Sequence, residues 1–220
     1  MVDVVFYNIG WPHPTEPFIG SIRQHMPDAR ITQLSDMDTP QVPGVDRVLR
    51  AEAPFPLKRA TLNYVGYSFL AALDVDKCLF LDMDMVLNGS VASVWDDDFD
   101  VAVCPRQRKD GVKMWMHEKW PYCSAMFVKT REFWQDCYAA MLALPTREWV
   151  DNMEAVGSVI KGGKYRIKLL DPSLYNRVPK SRDAYRPRVK IYHFKGGKKD
   201  HRHLWMGDFY DQHMREVAHA

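Results

Sequence analysis

No stretch of this 220-residue chain stays apolar for the roughly 20 residues needed to span a bilayer. The opening residues, MVDVVFYNIG, put no basic segment ahead of their short apolar run, so they do not read as a secretory leader. Cysteine is scarce. Cys78, Cys104, Cys123 and Cys137 show no CxxC spacing and lie in apolar surroundings, the pattern of buried free thiols in a reducing cytosol. An excess of charge of one sign is also missing. A formal net charge of +2 is too small to mark nucleic acid or an anionic membrane as the main partner. There is no internal repeat and no low-complexity segment. These absences lead us to expect a soluble cytoplasmic protein.

What is present is an ordinary globular balance, 46% hydrophobic and 26% charged, in a chain long enough to bury a substantial core. We expect one domain over residues 1–220, with a short tail from about residue 200. Charge is distributed unevenly: 82–100 is acidic, whereas 161–199 is rich in lysine and arginine. VDVVFYNIG reads as a first strand, apolar throughout and therefore covered on both faces. A helix over 18–25, a strand ending at Asp36 and an irregular connection over 38–48 follow. The apolar spacing of Leu62, Val65, Phe69 and Leu73 predicts a helix over 57–73, with Lys58 and Arg59 near its start. Strands KCLFLD, FDVAVC and YCSAMFVK come next, the last two separated by a polar and aromatic loop over 106–121. Helices over 130–144 and 150–160, a strand YRIKLLD, a loop PSLYNRVP and a strand VKIYHF complete the body. Strands alternating with helices imply an α/β fold with a mostly parallel sheet flanked by helices.

The chemistry concentrates where KCLFLD runs into Asp82-Met83-Asp84. Two carboxylates one residue apart at the tip of a buried strand repel each other and are costly to desolvate. Ligands of open α/β sheets bind at the carboxyl ends of strands. Carboxylates at i and i+2 of a strand point the same way and can share one hard divalent cation, which in turn can hold phosphate oxygens. The alternative is a solvated turn in which the aspartates cap the next element.

LFLDMDMVL resembles two families. It is similar to the nucleophile motif of haloacid-dehalogenase-type phosphatases, in which the first aspartate attacks phosphorus. It also resembles the DxD motif of GT-A glycosyltransferases, in particular the glycogenin-like and lipopolysaccharide galactosyltransferase-like group. Position in the chain favours the second. The phosphatase nucleophile closes the first strand of its fold, and GDFYD at 207–211 has the wrong spacing for the late acidic motif of that family. A second landmark, VKIYHFKGGKK, resembles the HxxGxxK element of the same glycosyltransferase group and sets His193, Gly196 and Lys199 on its three positions. The family's Pro-Trp after the lysine is here Asp200-His201.

The resemblance implies a GT-A fold and a metal-dependent, retaining transfer of a sugar from a nucleotide-sugar to an acceptor hydroxyl. Asp82, Asp84 and His193 would hold Mn²⁺ or Mg²⁺. The imidazole favours manganese, because Mg²⁺ prefers oxygen. The donor, by resemblance a UDP-hexose, would lie against Tyr7 and Asn8 at the end of the first strand, Asp36 at the end of the second, Arg59, Met83, Gly196 and Lys199. YCSAMFVK, WVDNMEAVGSVI and LDPSLYNRVP resemble further family segments. They imply small residues Ser124 and Ala125 beside the sugar, catalytic roles for Asp151 or Glu154, and a pocket floor at Tyr175-Asn176. A helix-capping role is the alternative for Asp151. The acceptor, a sugar, a lipid-linked glycan or a protein, is not implied. Trp115 and Trp120 are placed to stack against it. HRH at 201–203 reads as a basic tail, and the final helix as ordinary packing with at most a weak membrane contact.

Three rivals remain at this point. One is the phosphatase with Asp82 as nucleophile. Another is a nucleotide-sugar-forming transferase, which wants a glycine-rich loop that FYNIGWPHP lacks. The third is a non-catalytic nucleotide-sugar-binding module.

Overall fold

A computed structural model describes residues 1–10, 15–105, 124–145, 147–182, 184–195 and 205–214. Cys123, Trp115, Trp120, Gly196, Lys199, the 201–203 run and the end of the tail lie outside the described residues.

Seven strands form the main sheet, in the order β3-β2-β1-β4-β7-β6-β8. They are β1 (Asp3–Tyr7), β2 (Arg30–Ser35), β3 (Arg47–Arg50), β4 (Cys78–Leu81), β6 (Val101–Val103), β7 (Ala125–Val128) and β8 (Ile167–Leu169). β3-β2-β1-β4 pair in parallel, as do β6 and β8. β7 runs antiparallel between β4 and β6, so the sheet is mixed but mostly parallel. A two-stranded ribbon pairs β5 (Met85–Leu87) with β9 (Ile191–His193).

Alternation along the strands explains the layers. Val4, Phe6, Leu79, Leu81, Ala125 and Phe127 face one apolar core, shared with Phe18 and Ile22 of α1 (Glu16–His25). Val5, Cys78, Phe80, Met126 and Val128 face the other. That second core is closed by α2 (Leu62–Ala72), α3 (Glu132–Leu142) and α4 (Asp151–Lys161). Successive side chains leave a strand on opposite faces, so a sheet covered on both sides must be apolar at every position. A third cluster joins Val86 of β5, Tyr192 and Phe194 to α6 (Met206–His213), through Met206, Phe209, Tyr210 and Met214. The apolar side of α6 is thus spent on packing. Among the described residues no helix is long and apolar enough to cross a membrane. Cys78, Cys104 and Cys137 are free and buried, and burial pushes the thiols of Cys78 and Cys104 up.

Several expected elements are redrawn. The irregular connection over 38–48 runs into a strand, β3, which supplies one edge of the sheet. The helix expected over 57–73 begins only at Leu62. Pro54 and Pro56 break the preceding segment, and the Leu62 N–H closes a turn on the Lys58 carbonyl. VKIYHF does not join the main sheet but pairs with β5. PSLYNRVP holds a short helix, α5 (Pro172–Tyr175), capped by the Asp171 side chain on the Ser173 N–H.

At the far end of the sheet from the aspartates, Asp3 is nearly enclosed, its side chain 6% exposed. Arg30 grips it with two hydrogen bonds of 2.7 and 2.8 Å, while Arg47 stands 3.6 Å away and Thr32 donates at 3.3 Å. Losing Arg30 strands a buried carboxylate, a mechanism that costs about 3–5 kcal/mol when the pair is fully enclosed. Arg47 remains, and Arg30 is itself partly exposed. Arg30→Ala is therefore expected to lower stability by about 2–3 kcal/mol, read from the midpoint of urea unfolding.

Candidate active site

β4 delivers Asp82 to the carboxyl edge of the sheet, and the chain then turns. The Met85 N–H donates to the Asp82 carbonyl at 3.1 Å, so Asp82-Met83-Asp84 is a turn between β4 and β5 rather than an extended i, i+2 pair. This corrects the strand geometry expected from the spacing, yet the two carboxylates still converge. β9 brings the third group. His193 pairs with Met85 across the ribbon, and the Phe194 N–H donates to the Asp84 carbonyl at 2.7 Å. The His193 Nε2 lies 3.2 Å from Asp84 Oδ1 and 3.9 Å from Asp82 Oδ2.

One ligand atom from each of the three residues falls within 4.8 Å of the others. Oxygens held about 2.1–2.5 Å from a common cation lie at most about twice that distance apart, so the spacing fits one divalent ion. The imidazole is buried, while the carboxylates are 35% and 31% exposed, leaving a face open to a ligand. Two carboxylates and one imidazole suit Mn²⁺ better than Mg²⁺. Burial first, and then the charge of Asp84, push the Asp82 carboxyl up to about 6. Burial also pushes Asp84 up, but the charge and hydrogen bond of His193 outweigh it and leave Asp84 lowered. A cation between them removes both the repulsion and much of the cost of burial.

Three neighbours of this cluster carried no assigned site role in the sequence. Ser124 accepts the Asp82 N–H through its carbonyl at 3.1 Å and donates its hydroxyl to the Asp82 carboxylate, so the small residue there is a support. Lys195 adds positive charge near both aspartates. The buried Asn176 offers Oδ1 to the His193 Nδ1 at 2.8 Å. LDPSLYNRVP held a signal for Asn176, but nothing in it pointed to an imidazole seventeen residues away.

The expected donor residues gather at the same edge. The β1–β4 register pairs Val5 with Phe80, which sets Tyr7 level with Asp82. The Tyr7 ring stacks on Phe80, with centroids 5.5 Å apart, and its hydroxyl donates to Asn63 Oδ1 at 2.7 Å. Asn8 is buried, its N–H on the Leu34 carbonyl, and its Oδ1 has no hydrogen-bond partner among the described residues. Asp36 is buried too, where its Oδ1 takes the Thr39 N–H at 2.7 Å and shapes the loop after β2. Arg59 is exposed and precedes α2 instead of lying on it, with its guanidinium 5.8 Å from the Trp149 ring centroid. Met83 is buried at the turn.

Asp151 and Glu154 separate in character. Asp151 is buried at the start of α4, where one carboxylate oxygen accepts both the Tyr64 hydroxyl at 2.5 Å and the Glu148 N–H at 2.7 Å. It is an anchor between α2 and the loop before α4, and it does not serve as the helix cap. Burial and this bond push the Tyr64 hydroxyl up, keeping it a donor. Glu154 is exposed one turn on. Asn63 links the two regions, donating to the Trp149 carbonyl at 2.5 Å while holding Tyr7.

Gly66 makes the Tyr7 position possible. A Cβ there would stand 2.7 Å from two atoms of the Tyr7 ring. Helix propensity alone would favour alanine by about 1 kcal/mol, but overpacking costs about 1–3. Gly66→Ala is expected to destabilise by about 1 kcal/mol in urea and to displace the Tyr7 ring, visible as loss of its stacked contact with Phe80 in a crystal structure.

No protein-family model and no curated protein matches the chain. Solved structures do. The galactosyltransferase LgtC in complex with donor and acceptor sugar analogs is 16% identical, with a TM-score of 0.58 over 96% of each chain. The glycosyltransferase GlyE of Streptococcus pneumoniae TIGR4 is 14% identical with a TM-score of 0.63, over 99% of this chain and 65% of that one. A glycosyltransferase involved in the glycosylation of the major capsid of PBCV-1 is 11% identical with a TM-score of 0.65, over 94% of this chain and all of the other. At such identities the likeness is one of fold. The chain has the glycosyltransferase-like GT-A fold, and Asp82 closes its fourth strand in sequence, not the first strand that the phosphatase arrangement needs.

Proposed function

We propose that this protein is a metal-dependent glycosyltransferase that moves a hexose from a nucleoside diphosphate sugar, a UDP-hexose, to an acceptor hydroxyl with retention of configuration. The observation that carries the reading is the convergence of Asp82, Asp84 and His193 at the carboxyl end of a central strand, in a fold shared with glycosyltransferases. When bound, a divalent cation supplies Lewis-acid neutralisation of the departing diphosphate, in place of a general acid.

The chain's own residues do the rest. Asp82 and Asp84 provide the anionic pair, and Ser124 orients Asp82. Lys195 contributes positive charge beside them, with Lys199 and Gly196 following in the sequence for the leaving phosphate. Tyr7, Asn8 and Asp36 frame the nucleoside side at the ends of β1 and β2. Asp151 holds the α4 terminus against α2, and the exposed Glu154 is the carboxylate left to face a substrate.

The test is a thermal-shift screen with UDP, GDP, CMP and their sugars, each with and without Mn²⁺, followed by assay of donor hydrolysis. A UDP-sugar shift and slow hydrolysis that both require Mn²⁺ are expected. A covalent beryllofluoride adduct on Asp82, or metal-independent binding of every nucleotide, would overturn the reading.

A further inference from the structure

A histidine that ligates a metal through one ring nitrogen needs its other nitrogen held, because that partner fixes tautomer and ring orientation. The structure assigns this role to Asn176, which rests on the same reading of the metal centre proposed above. Its Oδ1 stands 2.8 Å from His193 Nδ1, and both residues are almost fully buried, at 5% and 2% exposure, so water does not compete for the contact. A carbonyl oxygen only accepts. The hydrogen must therefore sit on Nδ1, and Nε2 presents its lone pair to Asp84 and Asp82, the direction in which an ion would lie.

The backbone around Asn176 is fastened to the strand it serves. The Asn176 N–H ends α5 on the Pro172 carbonyl at 3.2 Å. The Arg177 N–H donates to the Ile191 carbonyl at 3.1 Å, and the His193 N–H donates to the Arg177 carbonyl at 2.9 Å. The 174–177 segment thus flanks β9 on one side while β5 flanks it on the other. Asn176 and His193 are set by one short ladder, so their separation does not depend on long-range packing. The opposite amide orientation would donate to Nδ1, put the hydrogen on Nε2 and aim it at Asp84, closing the site to a cation. Asn176 Nδ2 is left buried with no hydrogen-bond partner among the described residues, a cost a merely structural amide has no reason to bear. Asn176 is a positioning residue that acts through His193.

The experiment measures Mn²⁺ affinity from the free-ion electron paramagnetic resonance signal in wild type, Asn176→Leu, Asn176→Asp, His193→Ala and Asp84→Ala. Two-bond ¹H–¹⁵N correlations of the metal-free proteins report the His193 tautomer. Asn176→Leu keeps the volume but removes the acceptor. It is expected to weaken Mn²⁺ binding about 10–100-fold and to lose the Nδ1–H form. Asn176→Asp restores an acceptor to Nδ1 and is expected to bind within a few-fold of wild type, an outcome that a simple packing role would not produce. Wild-type affinity in Asn176→Leu, with affinity lost in His193→Ala, overturns the assignment of Asn176 alone. Unchanged affinity in His193→Ala and Asp84→Ala overturns the metal centre on which it rests.

Discussion

Asp84→Ala is expected to abolish the Mn²⁺-dependent thermal shift with UDP-sugar and to lower donor turnover by roughly 10³-fold or more, about 4 kcal/mol of transition-state stabilisation. The reasoning is local. Asp84 is the carboxylate nearest His193, at 3.2 Å, and its loss leaves Asp82 and the imidazole 3.9 Å apart with nothing to complete the set. The fold should survive. The carboxylate is partly exposed, and removing it relieves the repulsion that helps push Asp82 up to about 6. The metal-free variant should therefore melt at or slightly above the wild-type temperature. A variant that is inactive because it is unfolded would instead melt lower.

Phe209→Ala carries the largest expected effect on stability away from the carboxylates. Phe209 is fully buried in α6, and its ring meets Tyr192 at 5.0 Å, Phe194 at 5.3 Å and Trp205 at 6.1 Å between centroids. Truncating a buried phenylalanine costs about 3–5 kcal/mol, since the cavity does not fully collapse. Tyr192 and Phe194 are the immediate neighbours of His193 on β9 and face the opposite side. Loosening their packing should loosen the imidazole as well. Urea unfolding followed by tryptophan fluorescence is expected to show the loss. Mn²⁺ affinity should fall with it, while Arg30→Ala, at the other end of the sheet, should cost stability and leave the ion alone.

The contrast between the two halves of the metal centre shows what could be read in advance. Asp82 and Asp84 were legible because a fully apolar strand ending in two carboxylates is physically anomalous and demands compensation. His193 was legible only through a family-like spacing, since its partners lie more than a hundred residues earlier in the chain. The turn that joins the aspartates was not legible. LFLDMDMVL is apolar on both sides of it, and nothing in the run says where β4 stops and β5 starts. β3 escaped for a different reason. RVLR sits at the sheet edge, half-buried at best, and its arginines belong to a protected edge instead of an interior. Arg59 was displaced from the helix by prolines whose effect reached further than the apolar spacing suggested. Asn176 and Ser124 were polar residues in loops, and only the closed structure brings them to His193 and Asp82.

The central claim is that one divalent ion sits among Asp82, Asp84 and His193 and holds a nucleoside diphosphate. A crystal grown with Mn²⁺ and UDP, measured at the manganese absorption edge, addresses it directly. The account predicts a single strong anomalous peak within about 2.5 Å of an oxygen of each aspartate and of His193 Nε2, with phosphate oxygens on its open side. An anomalous map that is empty there, or a nucleotide bound elsewhere while His193 stays on Asp84, would contradict it.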